Sequence, residues 1–326
     1  MILNIGMVGT GFAARRRAEA LVADGRGRLV AIAGHHLEDT QTFAKTYGAT
    51  VASDWTSLVT WPDLDLVMVC HINRDHGSVV EAALTAGRHV VVEYPLCLEA
   101  QEAQELVNLA QRQGVMLHIE HIELLGGSHR AFKAHLTTLG LPLYGRYTTL
   151  SPQRPAPQRW TYQPDLFGFP LVGALSRVHR LVDAFGPVAR VSGQNQYHGW
   201  EDGPDGLPYY RTNLCAAQIT FRSGVQGELL YGKGEAIPQA VRRLEVIGTQ
   251  GSLQIDGDEG QVITAEGTQP MVIGSRRGLF AADTRAILDY LYQGTPLYTT
   301  PAASLYSLQV ATAIATAAAT GQTVTL

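Results

Sequence analysis

A glycine-rich turn near the N-terminus constrains the fold of this chain more than any other stretch. The apolar run 2–8 predicts a buried parallel strand, and it leads directly into the pattern G-x-G-x-x-A at residues 9–14. At a strand-to-helix turn, such small residues let a pyrophosphate approach the helix N-terminus. We therefore predict a dinucleotide-binding turn, and a plain turn between a strand and a helix is the alternative. Its cofactor-binding residues are expected to be Gly9, Thr10, Gly11, Phe12 and Ala13.

Strand and helix patterns alternate through the first 122 residues. The run 65–70 is almost wholly apolar, as the central strand of a parallel sheet should be. Further strand-like runs are separated by helical patterns. This alternation predicts a doubly wound parallel sheet, the Rossmann arrangement, as an NAD(P)-binding domain over residues 1–122.

From Tyr144 onward, the pattern of residues in the sequence changes. Short strand-like runs separated by Gly and Pro turns predict a large, mostly antiparallel sheet. One amphipathic helix over 170–185 is expected to cover a face of that sheet, and the Gly/Pro/Asp-rich stretch 200–208 is expected to be a loop. The predicted fold class is therefore α/β, with a second α+β substrate domain over 123–326 that ends in helices.

The composition excludes several classes of protein. The chain has 326 residues and a net charge of −4, which argues against a general nucleic-acid binder. Its three cysteines are scattered, so neither a disulfide framework nor a metal site is expected. We identify no apolar run of membrane length and no room for a signal peptide before the first strand. We expect a cytoplasmic monomer or homodimer without a membrane or nucleic-acid partner.

The residues after the second predicted strand indicate which dinucleotide binds. An NAD site usually carries an acid there for the ribose hydroxyls, whereas this chain has Gly34, His35 and His36. No acid repels a 2′-phosphate, and Arg15 and the two arginines after it could supply charge nearby. We therefore predict NADPH (NADP+) as the cofactor, and the alternative is that both histidines are merely solvated. Aspartate in place of Gly34 is expected to shift the preference toward NADH.

Polar residues also lie where the next two predicted strands end. Ligands bind at the carboxyl ends of parallel strands. We therefore expect His71, Asn73 and His76, after one strand, and Glu93 and Tyr94, after the next, to contact the cofactor. His76 could equally cap the helix that it begins, and Tyr94 could equally be a packing residue.

Two arginines mark one face of the predicted helix 170–185. Arg177 and Arg180 are three positions apart, so they share a face. A guanidinium pairs with a carboxylate as a bidentate fork, which suits a ligand with carboxylates. The alternative is a structural pairing with one of three acids, Glu120, Glu123 or Asp183.

Several motifs resemble those of the Gfo/Idh/MocA family of NAD(P)-dependent oxidoreductases. The residues that carry the resemblance are Val8-Gly9-Thr10-Gly11, Asn73-Arg74-Asp75-His76, Ala86-Gly87-Arg88-His89-Val90 and Glu93-Tyr94-Pro95. The family usually reads Glu-Lys-Pro at the last of these, so Tyr94 replaces its catalytic lysine. When the second catalytic element is anchored on Asp183, Arg180 replaces the catalytic histidine. The resemblance therefore implies an oxidoreductase that has lost the groups for handling the proton of an alcohol.

A narrower resemblance accounts for both losses. Five segments are similar to the biliverdin reductases, specifically the cyanobacterial type, and these are 118–127, 156–162, 167–170, 176–177 and 274–280. The resemblance implies NADPH-dependent reduction of biliverdin to bilirubin by hydride transfer to the C10 methine bridge. The alternatives are another reductase of the family that acts on a planar conjugated substrate, or a non-catalytic NADP(H)-binding sensor or scaffold.

The substrate that this resemblance implies is a conjugated tetrapyrrole with two propionates, which needs aromatic surfaces and cations. Arg177 is implied as the catalytic residue nearest the reacting atoms, with Arg180 assisting. Because an arginine is a poor acid, Arg177 is expected to orient a water or a propionate, or to stabilise negative charge as hydride arrives. Lys233 is expected to reach a propionate or, alternatively, to be an exposed loop lysine. The expected substrate-binding residues are Tyr94, Arg159, Trp160, Phe169, Arg177, Arg180 and Lys233.

Overall fold

A computed structural model describes residues 2–203 and 206–326. The first part of the chain alternates strands and helices, as its sequence predicts. The strands are β1 (Leu3–Val8), β2 (Gly27–Ala33), β3 (Thr50–Val51), β4 (Leu66–Val69), β5 (His89–Val92) and β6 (Leu117–Ile119). The helices are α1 (Phe12–Asp24), α2 (Leu37–Tyr47), α3 (Trp55–Val59), α4 (His76–Thr85) and α5 (Ala100–Gln113).

These six strands form one parallel sheet of order β3-β2-β1-β4-β5-β6. All four residues of β4 are buried, which is the burial expected of a parallel strand covered on both faces. The strand order changes direction at β1 and β4, and the carboxyl ends of such a pair form the crevice in which doubly wound sheets bind ligands. The predicted doubly wound parallel sheet is confirmed.

The middle of the chain begins with short helices and continues with long strands. The helices are α6 (Gly127–His135), α7 (Pro164–Phe167), α8 (Pro170–Gly173) and α9 (Ser176–Phe185). The strands are β7 (Pro142–Pro152), β8 (Val188–Asp202), β9 (Pro208–Phe221), β10 (Gln226–Gly234), β11 (Val241–Gly248), β12 (Gly251–Asp256), β13 (Glu259–Thr264) and β14 (Gly267–Pro270). The predicted loop 200–208 includes Pro204 and Asp205, which lie outside the described residues.

The remaining elements are helix α10 (Leu279–Gln293), helix α11 (Pro301–Thr320) and strand β15 (Val324–Thr325). Strand β15 completes a nine-stranded sheet of order β14-β13-β12-β11-β7-β10-β9-β8-β15. Its strand pairs are antiparallel except that of β10 with β7, which confirms the predicted mostly antiparallel sheet. Helix α9 covers one face of it, since a β-carbon at Gly145 of β7 would lie 2.5 Å from the ring of Phe185.

The predicted single helix over 170–185 is wrong, because the structure has two helices there. Helix α8 ends at Gly173, and the backbone of Ala174 leaves the helical region with φ −108° and ψ 39°. A β-carbon at Gly173 would lie 2.5 Å from the carbonyl oxygen of Phe167. The glycine therefore permits a close approach of two backbone segments at the point where the helical stretch is interrupted.

The chain divides into two compact units whose boundary differs from the one expected at residue 122. The first unit contains the residues up to 125 and 278–305, and the second contains 126–277 and 306–326. Helix α10 belongs to the first unit because Ile287 and Leu288 are fully buried in the same apolar core as Ile5 and Met68. The expected boundary at residue 122 instead counts this helix with the second domain.

Helix α11 is long and apolar enough to span a membrane by length and composition alone, with 44% of its most apolar window buried. The prediction that no apolar run reaches such a length is therefore wrong for this helix. In the second unit the helix packs on β8, where a β-carbon at Gly193 would lie 2.8 Å from the carbonyl oxygen of Ile314. Such packing is typical of a core helix.

Candidate active site

The turn after β1 has a backbone geometry that favours glycine. Gly9 has a φ of 109°, and a β-carbon there would lie 2.1 Å from the carbonyl oxygen of Cys70. Gly11 immediately precedes α1, and none of the described residues in the first turn of α1 is acidic. The helix N-terminus therefore suits a phosphate both sterically and electrostatically, so these residues fit a dinucleotide.

The residues expected near the ribose lie at the start of α2. His35 and His36 are exposed, and their ring centres are 4.8 Å apart. The hydroxyl of Thr40 donates to the carbonyl of His36 at 2.7 Å, which fixes this turn. Arg15 is exposed on α1, but Arg17 is fully buried. Of these two arginines, only Arg15 is accessible to a phosphate.

The strand-end residue His76 is buried instead of accessible to a ligand. Its Nδ1 lies 2.8 Å from the carbonyl oxygen of Pro95, and its Nε2 lies 2.9 Å from that of His71. The side chain thus connects the turns that follow β4 and β5, and it is fully buried. This geometry argues against the prediction that His76 contacts the cofactor. It also differs from the capping role offered as the alternative, because α4 has no side-chain cap.

His71 and Asn73 lie beside His76 after β4. The Nδ1 atom of His71 accepts a hydrogen bond from the backbone N–H of Ile72 at 2.7 Å, and burial lowers the pKa of His71. Asn73 is 3% exposed and begins a single helical turn. Both stay predicted cofactor residues, and His71 is the more accessible of the two.

After β5, Glu93 and Tyr94 point to different neighbours. Glu93 accepts from Nε of Arg17 at 2.5 Å. The ring of Tyr94 stacks on that of His121, with 5.6 Å between ring centres and 6° between planes. The imidazole of His121 lies 2.8 Å from the hydroxyl of Ser304. Tyr94 is half-buried, and it stays a predicted contact for the cofactor or the substrate.

Arg17 belongs to a buried charge network that local sequence patterns do not reveal. Asp283 on α10 is fully buried and accepts from Arg17 at 2.8 Å and from the hydroxyl of Tyr298 at 2.7 Å, and Nε2 of His118 lies 2.8 Å away. Burial alone would raise the pKa of Asp283, but His118 and Arg17 together hold that pKa below its usual range. Burial and the nearby Glu93 and Asp283 raise the pKa of Glu120 well above its usual range.

Arg177 is the accessible residue of the helical stretch that the sequence analysis emphasised. Among residues 170–181, all of which the structure describes, only Arg177 is not buried. Its guanidinium lies over the ring of Tyr231 at 5.4 Å and donates to the hydroxyl of Ser176 at 2.9 Å. The Arg177 side chain therefore extends from a buried helix and rests on an aromatic ring. This arrangement suits a residue that binds a ligand.

Arg180 has a different environment from Arg177, although the two are three residues apart. It is 2% exposed, and its guanidinium donates to the hydroxyl of Tyr147 at 3.0 Å and to Nδ1 of His129 at 3.3 Å. His129 in turn contacts Asp183 at 2.8 Å. The structure thus argues against a direct catalytic or substrate-binding role for Arg180, and it connects Arg180 to Asp183 only through a histidine.

Lys233 is on strand β10 rather than in an exposed loop. Two positions separate it from Tyr231, so both side chains lie on the same face of the sheet. Lys233 is 7% exposed. Burial first, and then the charges of Arg159 and Arg177, lower its pKa well below the usual value. Arg159, Arg177 and Lys233 therefore lie close enough for their charges to interact.

The other predicted substrate residues lie near this cluster. Arg159 donates to the hydroxyl of Thr161 at 3.0 Å. The ring centre of Trp160 is 5.9 Å from that of Phe167. Phe169 is half-buried next to α8. Tyr231 was not among the predicted site residues, although the alternation of β10 places it on the face that carries Lys233.

Comparison with known proteins places this geometry in a family. Residues 3–121 match the NAD-binding Rossmann domain of the Gfo/Idh/MocA oxidoreductases, and residues 138–326 match their C-terminal α/β domain. The crystal structure of biliverdin reductase from Synechocystis sp. PCC 6803, in complex with biliverdin and NADP+, is 44% identical. The similarity covers 97% of this chain and 99% of that one, with a TM-score of 0.94.

More distant relatives match part of the chain or its fold alone. Biliverdin reductase A of Mus musculus is 34% identical over 130 residues, and the match spans 40% of this chain and 41% of the mouse protein. Levoglucosan dehydrogenase with NADH and levoglucosan is 19% identical over 100% of this chain and 99% of that one, with a TM-score of 0.87, which shows the fold alone. The chain belongs to the Gfo/Idh/MocA family of NAD(P)-dependent oxidoreductases.

Proposed function

We propose that this chain is an NADPH-dependent reductase that converts biliverdin to bilirubin by adding hydride to the C10 methine carbon. The observation that carries the proposal is the full-length similarity to a reductase whose crystal structure holds biliverdin and NADP+. We assign the cofactor to residues of the first unit and the bilin mainly to residues of the second.

The cation cluster of the second unit suits the substrate that we propose. A bilin is a flat conjugated molecule with two carboxylates, so it needs aromatic contacts and positive charge. Arg177 lies on an aromatic ring, Arg159 is exposed beside Trp160, and the amino group of Lys233 is close enough for both guanidiniums to lower its pKa. Arginine forks pair well with carboxylates, so this cluster favours a planar dianion.

When bound, NADPH supplies the hydride, and the protein must provide for the second half of the reaction. Hydride at C10 places negative charge on the pyrrole system, and a proton then adds to a pyrrole nitrogen. Arg177 is too weak an acid to release its own proton. We assign it to stabilising the developing charge and orienting the proton donor. This reaction deprotonates no alcohol, which agrees with Tyr94 and Arg180 in place of the family's lysine and histidine.

The test is an absorbance scan of the purified chain with biliverdin and NADPH, repeated with NADH. A change from green to yellow that is faster with NADPH supports the substrate and the cofactor together. A faster change with NADH retains the substrate and rejects the cofactor preference. If NADPH binds and biliverdin stays green, the proposed function is wrong, and the sensor or another planar substrate becomes the hypothesis to pursue.

The cofactor preference has a test of its own at His35. The substitution first expected to be useful, Gly34→Asp, is confounded, because a β-carbon at Gly34 would lie 2.4 Å from the hydroxyl of Thr40. His35→Asp places a carboxylate on an exposed neighbour instead. We expect the ratio of kcat/KM for NADPH to that for NADH to fall about tenfold or more. A tenfold fall requires only about 1.4 kcal/mol of repulsion between the new carboxylate and the 2′-phosphate of NADPH. His35→Asn is the neutral control, and an equal fall in both variants would contradict the electrostatic explanation.

We also propose a cytoplasmic monomer or homodimer without a nucleic-acid or membrane partner. Size-exclusion chromatography with light scattering on the eluted peak gives the molar mass of the protein in solution. Recovery of the chain from the membrane fraction of a lysate would overturn the proposal, since α11 has the length and composition of a membrane span.

A further inference from the structure

Lys233 is a buried cation among aromatic rings. Its Nζ lies 4.0 Å from the ring centre of Phe167, 4.7 Å from that of Tyr162 and 5.7 Å from that of Tyr210. These distances are within the range over which a ring face attracts a cation. The same ammonium donates a hydrogen bond to the carbonyl oxygen of Thr161. Lys233 therefore has four partners, of which three belong to one short segment of chain.

That segment, residues 159–167, carries two of the side chains assigned to the bilin. It consists of a single helical turn and the four-residue helix α7, and helices this short are not stable by themselves. Trp160 packs on Phe167, and Phe167 is the ring nearest to Lys233. The ammonium is thus a central attachment of the segment to strand β10.

We propose that Lys233 is a positioning residue for bilin reduction, because its ammonium holds segment 159–167 against the sheet and so sets Arg159 and Trp160 in place for the substrate. The proposal rests on the proposed function, since the bilin is the ligand assigned to that segment. Lys233 acts through the segment and takes no part in bond making.

The charged groups near Lys233 disfavour the protonated form of its amino group. Arg159 and Arg177 are the charged neighbours, and Tyr162 and Tyr210 are the titratable rings that face it. Among the described residues, no carboxylate forms an ion pair with Lys233. Burial of an ammonium without an acidic partner costs free energy. A residue kept only for stability would therefore not be a lysine here, whereas a residue that orders a binding segment could be.

The first experiment observes the ammonium directly. The chain has three lysines, at 45, 133 and 233, so a sample labelled with 13C-lysine gives three resolvable Cε–Hε signals in a heteronuclear NMR spectrum. We expect one signal, absent in Lys233→Met, to be shifted upfield by the ring currents of the neighbouring aromatic side chains. The pKa of that amino group should lie below the usual value for a lysine. A Lys233 signal without a ring-current shift would overturn the proposal without reference to any substrate.

The second experiment compares three variants of the full chain. We expect Lys233→Met to raise the KM for biliverdin about tenfold, the effect of roughly 1.4 kcal/mol. The Kd for NADPH should not change, and the Tm should change little, because the lost contacts with the rings and the Thr161 carbonyl offset the relief of burying an amino group without an acidic partner. Lys233→Arg keeps a cation for the rings, so its KM for biliverdin should lie between those of Lys233→Met and the wild type. Lys45→Met, at an exposed position on α2, is the control and should match the wild type.

The outcomes separate positioning from simple structure. A raised KM with an unchanged Tm and recovery by arginine supports the proposal. A lowered Tm with unchanged kinetics, or kinetics unchanged in every variant, overturns it. If the wild-type chain does not reduce biliverdin, the proposed function fails, and the NMR experiment still decides whether the ammonium is held among the rings.

Discussion

Arg177→Ala is expected to lower kcat for biliverdin reduction about 100- to 1,000-fold while the Kd for NADPH stays unchanged. This is the range observed when one preorganised donor to a developing negative charge is removed. Arg177 is the accessible guanidinium of a buried helical stretch, and its contact with Tyr231 fixes its direction. Single-turnover reduction with bound NADPH measures the chemical step, and fluorescence quenching by NADPH measures cofactor binding.

Two further variants define what the Arg177 result means. Arg177→Lys keeps the charge but loses the planar fork, so an intermediate rate indicates that both charge and geometry contribute. Arg180→Ala should lower the Tm, because Arg180 donates to Tyr147 and His129 inside the second unit. A near-normal kcat in Arg177→Ala would remove Arg177 from the catalytic role and leave it only a possible binding residue.

Asp283→Ala is expected to reduce the free energy of unfolding of the first unit by about 3–5 kcal/mol, the usual loss when one partner of a buried ion pair is removed. The substitution leaves the fully buried Arg17 with Glu93 as its ion-pair partner. It also removes the acceptor of the Tyr298 hydroxyl. Urea unfolding of the wild type and the variant, in the absence of cofactor, gives the difference.

The matched control for this prediction is a carboxylate on the same helix. Asp289 pairs with Arg26 at 2.7 Å near the surface, where 31% of its side chain is exposed. Exposed pairs contribute about 0–1 kcal/mol, so Asp289→Ala should have a small effect. Equal losses in the two variants would show that the buried position of Asp283 has no special importance.

Local sequence patterns correctly predicted those elements whose conformation depends on neighbouring residues in the chain. The glycine turn was identified because its conformation depends on adjacent residues, and the positive φ of Gly9 agrees with that prediction. Strand β4 was identified because a strand buried on both faces must be apolar throughout. The packing of α10 in the first unit could not be predicted locally, because it depends on contacts such as that of Arg17 with Asp283, which are 266 residues apart.

The candidate site was only partly predictable for the same reason. Helical spacing places Arg177 and Arg180 on a common face, but it does not reveal that Tyr147 and His129 would enclose only one of them. Lys233 has glycines on both sides, which favours a loop in isolation. Its pairing with Ser151 and Asn213 instead makes it part of a strand, and such pairing depends on residues far away in sequence.

The return of α10 to the first unit has a consequence for synthesis on the ribosome. Chains grow from the N-terminus, so the parallel sheet is complete in sequence long before residue 283 has been made. Until then Arg17 lacks its buried partner, and the core around Ile5 and Met68 lacks Ile287 and Leu288. The first unit therefore cannot reach its final stability until most of the second unit has been translated, although N-terminal domains usually fold first during synthesis.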